Sequence, residues 1–385
     1  MRGPLIPVAP DVVVAGGGPA GLAAASELAR AGYSVRLLEE DLEIGYPVKC
    51  AGIVSRRGAD ALRGACGRDV TWSRIARGVV EVRGMRSLEV DMGGLDVVAI
   101  DRRALERCLF EAASSNGAEV ALGERAVSVR GTEVLARGGT IAARAVVDAR
   151  GASAYPRRGR VLHAVQYTCR GGSRDGSVRV LIDKSVTREY FAWRVDLEGG
   201  DVLLGGAGSS PSRVEALLGS LAREGGCAPY RIVRSPIVVG GFAGPGSGGA
   251  FPVGDAAGAT KPLTGGGDVW GFESSLMAAR HISQYLSGEI GLEEAHRSYS
   301  RSWRKAHGKE ESLQLLLRSA YERMGEADAW RALVAMRDAG VLRSPRADFD
   351  ALGSWALASL GARAIASMAI GRIRDALGIG RETHL

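Results

Sequence analysis

The sequence has 385 residues, 46% of them hydrophobic, and a formal net charge of +7. This composition supplies enough apolar material for sizeable cores and excludes a disordered or fibrous chain. The basic excess favours contact with an anionic membrane surface or an acidic partner, although a mildly basic soluble enzyme has the same balance. The sequence has neither a basic run interleaved with aromatic residues nor zinc-ligand spacing, which argues against nucleic-acid binding.

The five cysteines are dispersed along the chain and never form a CxxC pair. This spacing argues against a disulfide framework and against a metal site. The first ten residues hold three prolines and lack the apolar core of a signal peptide. The apolar stretch 351–371 is interrupted by Arg363 and is too short and too charged to span a membrane. We therefore expect a cytoplasmic protein, with the inner membrane face as its only candidate for peripheral contact.

The first predicted elements form one continuous unit. They are a strand at 11–15, a GxGxxG turn made by Gly16, Gly18 and Gly21, a helix at 22–31 and a second strand at 33–38. A GxGxxG pattern in this setting is typical of a dinucleotide-binding βαβ unit. The alternative, a tight turn without a ligand, would not require the strands and helix to follow in this order.

Each residue of this unit has a physical role in binding a dinucleotide. Gly16 makes the tight turn, Gly18 lets the backbone approach a pyrophosphate, and Gly21 lets the helix pack closely on the strand. The phosphates would lie on the positive end of the helix, beside Pro19 and Ala20. A carboxylate that ends the second strand accepts the ribose hydroxyls. Glu39 is the first candidate for that role and Glu40 the second.

The middle of the chain alternates between loops, strands and helices. A loop at 44–53 is punctuated by two glycines and a proline and contains Cys50. Short strands are predicted at 77–100, a helix after Asp101 up to Ser115, and more strands at 118–147. The segment 160–239 again predicts strands, with one helix at 211–223, and reads as a second sheet inserted into the first domain.

Two further glycine-rich blocks follow near the end of the second sheet. Gly254 and Asp255 lie in a glycine-rich turn, and Gly265, Gly266 and Gly267 lead into a predicted helix at 269–286. Beyond residue 291 we predict helices at 295–307, 312–324 and 327–339, followed by a run of small residues. The dinucleotide-binding domain therefore resumes at about residue 245.

Taken together, these blocks resemble the FAD-dependent geranylgeranyl reductase family, particularly its archaeal lipid-reducing members, within the flavoprotein hydroxylase superfamily. The resemblance covers most of residues 11–305. It implies that Glu39 lies at the adenosine ribose, Arg102 near the pyrophosphate, and Gly254 and Asp255 at the ribityl and pyrophosphate region. A second glycine–aspartate turn so far downstream favours FAD over NAD, with NAD(P)H or reduced ferredoxin as the electron donor.

The same resemblance implies further site residues. The stretch from Tyr46 to Gly52 resembles the cysteine-containing loop that these reductases place above the flavin, which makes Cys50 a catalytic candidate and Ala51 a cofactor contact; a small packing residue is the alternative for Cys50. Lys49 would contact FAD or a lipid phosphate, or remain solvated. The glycines at 265–267 would stabilise reduced flavin at a helix N-terminus.

Three departures from the family pattern affect these assignments. Asp268 replaces an apolar residue, and we expect it to cap the following helix rather than face the flavin. The YxWxFP signature keeps only Trp193, with Phe191 in place of its tyrosine; both are candidate catalytic residues lining an apolar tunnel, or else core residues. Arg150 interrupts an aspartate–glycine turn, so we do not assign that turn to nicotinamide.

The predicted fold class is α/β with an α+β substrate domain. We expect a Rossmann-like FAD-binding domain of the hydroxylase type (1–75, 101–155 and 245–290), an inserted antiparallel-sheet substrate domain (76–100 and 156–244), and a C-terminal helical region (291–385). The expected function is reduction of isoprenoid double bonds in ether membrane lipids. The alternatives are an aromatic monooxygenase or halogenase, and a flavoprotein that only relays electrons. Oligomeric state stays open.

Overall fold

The computed structural model describes residues 9–92, 94–157, 160–246, 249–338 and 349–354. The first strands are β1 (Val12–Ala15), β2 (Val35–Glu39), β3 (Ile53–Ser55), β4 (Thr71–Ile75), β5 (Arg77–Val82), β6 (Ser87–Asp91), β7 (Val97–Ile100), β8 (Glu119–Leu122) and β9 (Ala126–Arg130). The later strands are β10 (Glu133–Ala136), β11 (Gly139–Ala142), β12 (Ala145–Asp148), β13 (Val161–Arg170), β14 (Ser177–Ile182), β15 (Ala192–Asp196), β16 (Asp201–Gly208), β17 (Ala228–Val238) and β18 (Ala250–Pro252). The helices are α1 (Pro19–Arg30), α2 (Arg56–Cys66), α3 (Arg102–Ser115), α4 (Pro211–Glu224), α5 (Asp268–Leu286), α6 (Leu292–Arg323) and α7 (Glu326–Asp338).

A parallel five-stranded sheet organises the first domain, in the order β18-β12-β1-β2-β8. Its central strand β1 is fully buried because both faces are covered. On one face, α1, α3 and α5 pack into the largest core around Leu22, Leu28 and Phe272. On the other face lies the three-stranded sheet β11-β10-β9, with Val134 packed against Val13. The Rossmann-like prediction is confirmed.

The second domain is a seven-stranded sheet in the order β17-β13-β16-β15-β14-β5-β6. Its pairs are antiparallel except β14 with β5, which run parallel. Side chains alternate between the two faces, as strand geometry requires. One face packs on α4 through residues such as Val165, Leu204 and Leu218. The opposite face carries Trp193 and Val195 toward the cavity described below.

Two local features differ from the sequence prediction. Strand β7 does not join β5 and β6 but pairs with β3 and β4 in a separate three-stranded sheet. Helices predicted at 295–307 and 312–324 are one helix, α6, which continues through Gly308. A helical glycine costs about 1 kcal/mol relative to alanine. That cost is offset because Tyr299, Trp303 and Gln314 all bury the same side of α6.

The prediction that the cysteines form no disulfides is wrong for four of the five. Cys66 is bonded to Cys108, joining α2 to α3, and Cys169 is bonded to Cys227, joining β13 to the start of β17. The partners are 42 and 58 residues apart, so the pairing arises from packing of distant elements and leaves no local motif. Disulfides also occur in intracellular proteins of hyperthermophiles, so these bonds do not fix a compartment. Cys50 is free.

The C-terminal helices α6 and α7 pack against both domains. Tyr299 of α6 donates its hydroxyl hydrogen to the carbonyl of Pro252, and Trp330 of α7 packs against the cluster around Val82 and Ile182. From their apolar character, the sequence predicts that Leu352, Trp355, Leu360 and Met368 form a membrane-facing or tunnel-capping surface, with helical packing against the substrate domain as the alternative. Leu352 is described, whereas Trp355, Leu360 and Met368 lie outside the described residues. None of the helices in the described part of the chain has the length and hydropathy of a membrane span.

Candidate active site

A large cavity of about 990 Å³ lies between the parallel sheet and the seven-stranded sheet. Its lining includes the glycine turn after β1, the loop containing Cys50, the turn at Gly254–Asp255, and the glycine loop before α5. It also includes the inner face of the seven-stranded sheet, around Trp193 and Val195. This volume lies at the upper end of the range for cofactor and ligand sites. One cavity thus joins the glycine-rich elements to an apolar sheet face.

The turn after β1 has the geometry that its glycines predict. Gly16 has φ +110°, and a Cβ there would lie 2.3 Å from the carbonyl oxygen of Ala149. A Cβ on Gly21 would lie 2.0 Å from the carbonyl oxygen of Gly16, so only glycine lets α1 approach β1 this closely. Gly18 is different, because a Cβ there would meet no atom within 4 Å. The space beside Gly18, next to Pro19 and Ala20, is open cavity.

Glu39 lies at the end of β2 and lines this part of the cavity. Its carboxylate accepts hydrogen bonds from the backbone N–H groups of Gly17, at 2.5 Å, and Asp41, at 2.8 Å. These bonds fix the carboxylate beside the glycine turn. Glu40 also lines the cavity but pairs with Arg125 at 3.3 Å. The exposed Lys49 lies 3.8 Å from Asp41.

Arg102, the first residue of α3, is the centre of a buried charge cluster. Its Nη1 is 2.6 Å from Asp268 Oδ1 and its Nη2 is 2.5 Å from Glu106 Oε1. Burial raises the pKa of the Glu106 carboxyl. Arg102 Nε is buried and has no hydrogen-bond partner among the described residues. A buried donor of this kind, on a cavity wall, fits an anionic ligand group.

Asp268 does not cap α5, contrary to the sequence prediction. The N-cap position belongs to Gly267, and no side chain caps this helix terminus. The Asp268 side chain lines the cavity, where the guanidinium of Arg102 lies beside it. An ion pair with a buried arginine satisfies the carboxylate better than backbone N–H groups that stay exposed to a ligand. The sequence identified Asp268 as a departure from the family pattern, but it did not predict the ion pair between Asp268 and Arg102.

Cys50 shares this corner of the cavity with Asp268. Its Sγ is 3.6 Å from Asp268 Oδ2 and accepts a hydrogen bond from the N–H of Gly52 at 3.3 Å. Burial, together with the negative charge of Asp268, raises the pKa of the Cys50 thiol to about 11. The side chain is therefore a protonated thiol at neutral pH. Ala51 lies next to it on the same wall.

The turn at Gly254 and Asp255 lies next to the N-terminus of α5. Gly254 has φ +58°, and its N–H donates to Ser274 Oγ at 3.0 Å. Asp255 Oδ1 would be 3.1 Å from a Cβ on Gly267. Burial, followed by the charge of Asp268, raises the pKa of the Asp255 carboxyl to about 6. Two carboxylates therefore face the start of α5.

The glycine loop before α5 is held by hydrogen bonds to Lys261 and Tyr190. Gly265 donates its N–H to the carbonyl of Lys261 at 2.8 Å, and its φ of +66° favours glycine. A Cβ on Gly265 would lie 2.5 Å from Ile237 Cγ2. The hydroxyl of Tyr190 donates to the carbonyl of Thr264, while Thr264 Oγ1 is buried without a partner among the described residues. The loop lines the cavity and carries one buried hydroxyl, that of Thr264, that has no partner among the described residues.

Phe191 and Trp193 line the cavity from the seven-stranded sheet. Phe191 stacks on Tyr190 with ring centroids 4.1 Å apart and meets Trp193 edge to face at 6.4 Å. The Trp193 indole lies over Gly205, where a Cβ would be 2.2 Å from its Cζ2. Gly205 therefore makes room for a tryptophan, and the glycine-rich segment at 205–208 is the end of strand β16.

The residues around the cavity fit a dinucleotide of the FAD type. The open space at Gly18, the N-terminus of α1 and the unpaired Arg102 Nε and Thr264 Oγ1 supply donors for phosphate and other oxygen groups. Sequence reasoning missed Lys261, Tyr190, Phe349 and several other lining residues. Glu106 was detectable, because it lies four residues after Arg102 on the same helix face. The others carry no local signal.

Comparisons with known proteins agree with this architecture. Residues 11–171 match the model of the lycopene cyclase protein family. A digeranylgeranylglycerophospholipid reductase of Methanothrix thermoacetophila is 29% identical over 83% of this chain and 89% of its own length. The structure of a geranylgeranyl bacteriochlorophyll reductase-like protein from Thermoplasma acidophilum superposes with a TM-score of 0.76 over 96% of this chain and 98% of that one, at 17% identity.

A flavin-dependent brominase has the same fold with a TM-score of 0.68, over 96% of this chain and 99% of that one, at 15% identity. At such identities, likeness shows the fold alone. The sequence relatives are more specific. The digeranylgeranylglycerophospholipid reductase of Methanosphaerula palustris is 30% identical over 76% of this chain and 81% of its own length. This chain therefore belongs to the digeranylgeranylglycerophospholipid reductase family.

Proposed function

We propose that this chain is an FAD-dependent oxidoreductase that reduces carbon–carbon double bonds in the geranylgeranyl chains of ether membrane lipids. The observation that carries the proposal is this cavity, which joins glycine-rich turns suited to a dinucleotide with an apolar wall suited to a prenyl chain. When bound, reduced FAD supplies the hydride. The family relationship to named lipid reductases supports the substrate class.

The protein's part in this reaction is positioning and exclusion of water. An unactivated alkene has no carbonyl that a general acid could polarise, so binding must hold the double bond in place. Val178, Val180 and Val195 supply an apolar surface for the chain, and Phe191 and Trp193 supply aromatic edges. Asp268 orients the Cys50 thiol at the junction between this surface and the glycine loop. Cys50 is the candidate to deliver the proton that completes saturation.

The electron donor is NAD(P)H or reduced ferredoxin. Arg150, which interrupts the aspartate–glycine turn, donates to both carboxylate oxygens of Asp148, at 2.9 and 2.8 Å. Because its guanidinium is already occupied, this turn is a poor second nucleotide site. The donor would therefore reach the flavin transiently rather than occupy a site of its own.

Contact with an anionic membrane surface is part of the proposal. Tyr46, Tyr230 and Ile232 are each about half exposed, and Tyr46 lines the cavity. The Arg231 guanidinium lies 5.3 Å from the Tyr46 ring centroid and 5.9 Å from that of Tyr230, and Arg170 lies 5.5 Å from the latter. Tyrosines beside arginines suit the headgroup region of an anionic bilayer. We call these five residues the rim patch.

The second candidate function is halogenation or monooxygenation of an aromatic substrate. The fold that this chain shares with flavin-dependent halogenases favours it. The experiment that separates the two compares anaerobic and aerobic turnover of the purified protein. Anaerobic reoxidation of the reduced protein by a prenyl lipid supports the reductase. Turnover that requires oxygen and an aromatic substrate supports the halogenase or monooxygenase. A protein that only relays electrons would do neither, and the large apolar cavity argues against that role.

A further inference from the structure

Two buried carboxylates hold the segment 349–354 against the body of the protein. Asp350 is 2.7 Å from Lys261 Nζ and accepts a hydrogen bond from Ser55 Oγ. Glu310 of α6 accepts hydrogen bonds from the N–H groups of Gly353, at 2.6 Å, and Ser354, at 2.7 Å. Asp350 and Lys261 are 3% and 2% exposed, so the segment is held by a buried ion pair rather than a surface contact.

This segment forms part of the apolar wall of the cavity. Phe349 and Leu352 line it, together with Leu333 and Met336 of α7. The Phe349 ring centroid lies 4.4 Å from Lys261 Nζ, within the range of a cation–π contact. The same lysine therefore touches both the ring and the carboxylate of the segment.

Lys261 also holds the glycine loop that leads into α5. Its N–H donates to the carbonyl of Gly266 at 3.0 Å, and its carbonyl accepts the N–H of Gly265 at 2.8 Å. A Cβ on Gly266 would lie 2.6 Å from Lys261 Cε, so the side chain runs directly along the loop. One residue thus contacts the cofactor side of the cavity through its backbone and the apolar side through its ammonium.

A buried ion pair adds little net stability, because both charges lose their hydration. It is well suited to holding two segments of a chain in one defined arrangement. Burial alone would raise the pKa of the Asp350 carboxyl, but the ammonium of Lys261 and the hydroxyl of Ser55 hold it below its ordinary value. Removing the ammonium of Lys261 or the carboxylate of Asp350 takes a buried charge away from its ion-pair partner, which favours displacement of the segment or of the loop.

We infer that Lys261 and Asp350 are positioning residues that couple the apolar wall at 349–354 to the Lys261–Gly267 loop, so that chain binding and cofactor binding depend on one another. This inference rests on the proposed function for the identity of the two ligands. The contact between the wall and the loop is observed in the structure and does not depend on the proposed function. Thermodynamic linkage requires the coupling to be reciprocal. A ligand that fixes the wall at 349–354 also favours the binding conformation of the loop, and a ligand that fixes the loop also favours the ordered wall.

The test uses Lys261→Met, Asp350→Leu and the double variant of the full chain. Lys184→Met is the matched control, because Lys184 is also a buried lysine. Its Nζ donates to the carbonyls of Arg188 and Tyr321 and lies 3.6 Å from the Tyr321 ring, so its contacts are with these two residues rather than with the glycine loop itself. Hydrogen–deuterium exchange of peptides covering 261–271 reports on the loop without any cofactor. The dissociation constant for FAD and melting temperature are measured on the same samples.

We expect each single variant to speed exchange in the loop and to weaken FAD binding by about tenfold, and the double variant to be no worse than Lys261→Met. The control should lower the melting temperature without changing either loop readout. The inference is overturned if the Lys261 and Asp350 variants lower only the melting temperature, or if their effects on FAD add. If the wild-type chain binds no FAD, the proposed function fails while the exchange rates still decide the coupling.

Discussion

At the scale of single residues, two glycines of the first turn have different roles: Gly21 is required for close packing of the fold, and Gly18 borders the open cofactor space. Alanine at Gly21 would place a Cβ 2.0 Å from the Gly16 carbonyl, whereas alanine at Gly18 would meet no atom within 4 Å. We expect Gly21→Ala to lower the melting temperature of the FAD-free protein and Gly18→Ala to leave it nearly unchanged. Gly18→Val should fold as well but weaken FAD binding by tenfold or more, because its branches occupy the open space.

Circular dichroism and FAD fluorescence quenching measure these two properties separately. Gly18 would not border a cofactor site if Gly18→Val bound FAD as tightly as the wild type while melting at the same temperature.

Cys50 and Asp268 give a prediction about pH. The negative charge of Asp268 contributes to the raised pKa of the Cys50 thiol, which is about 11, so removing that charge must lower the pKa. Alkylation of Cys50 by iodoacetamide in FAD-free protein should therefore become faster between pH 8 and 10 in Asp268→Asn. Cys50 is the free cysteine, so alkylation counted by mass spectrometry reports on it directly.

Glu40→Gln provides the control, since Glu40 pairs with Arg125 at the dinucleotide end of the cavity. Equal alkylation rates for Asp268→Asn and the wild type across this pH range would show that Asp268 does not face the thiol.

The residue-scale predictions from sequence succeeded where neighbours along the chain determine the geometry. The positive φ of Gly16 and the close packing of Gly21 follow from the GxGxxG spacing. Asp268 was misjudged because Arg102, its partner, lies 166 residues earlier. A helix-capping preference is a local rule, and a buried ion pair formed through the fold can override it.

At the scale of elements, we expect strand β15 to determine which prenyl chain lengths the protein reduces. Trp193 projects from β15 into the cavity, above the gap that Gly205 leaves on β16. We expect Trp193→Ala to retain FAD but to lower kcat/KM for a prenyl lipid by about tenfold, and to change which chain lengths are reduced. Product analysis by mass spectrometry gives both quantities.

Trp330→Ala is the matched control, because Trp330 of α7 packs against the cluster around Val82 and is not among the described residues that line the cavity. If both tryptophan variants changed chain preference equally, the effect would be one of general stability and not of the cavity wall.

Elements with strong local signals were predictable, and elements defined by distant partners were not. The unit β1–α1–β2 follows from its periodicity and glycine spacing. The parallel pairing of β14 with β5 and the separate sheet of β3, β4 and β7 depend on which distant strands meet. Helix α6 was divided in the prediction because Gly308 looks like a break, while packing of its buried side keeps it continuous.

At the scale of the whole molecule, the rim patch predicts how the protein meets a bilayer. Replacing Tyr230 by serine and Arg231 by glutamine should weaken binding to phosphatidylglycerol vesicles by about fivefold, since one basic residue near an anionic surface contributes about 1 kcal/mol. Arg137→Gln, an exposed arginine outside the patch, serves as control. Vesicle sedimentation without substrate measures the partition.

The patch would be excluded as the bilayer contact if the double variant and the control bound equally well, or if binding did not depend on anionic lipid.

The cavity itself could be only partly predicted. Its dinucleotide end is assembled from three glycine-rich blocks that are visible in the sequence. Its apolar end includes Phe349 and Leu352, which are brought there by an ion pair between Lys261 and Asp350, 89 residues apart. The sequence indicated Leu352 as a tunnel-capping candidate from its apolar character, but no spacing rule connects Asp350 with Lys261, so the ion pair that holds the segment against the wall is visible only in the folded chain.

The central proposal is tested most directly by one anaerobic single-turnover measurement. The FAD-loaded protein is chemically reduced, freed of excess reductant and mixed with a geranylgeranylated glycerophospholipid, and flavin absorbance and lipid mass are followed together. The proposed function predicts that each reoxidised flavin accompanies the gain of two hydrogens by one lipid molecule. A flavin that stays reduced, with the mass of the lipid unchanged across several prenyl lipids, would contradict it.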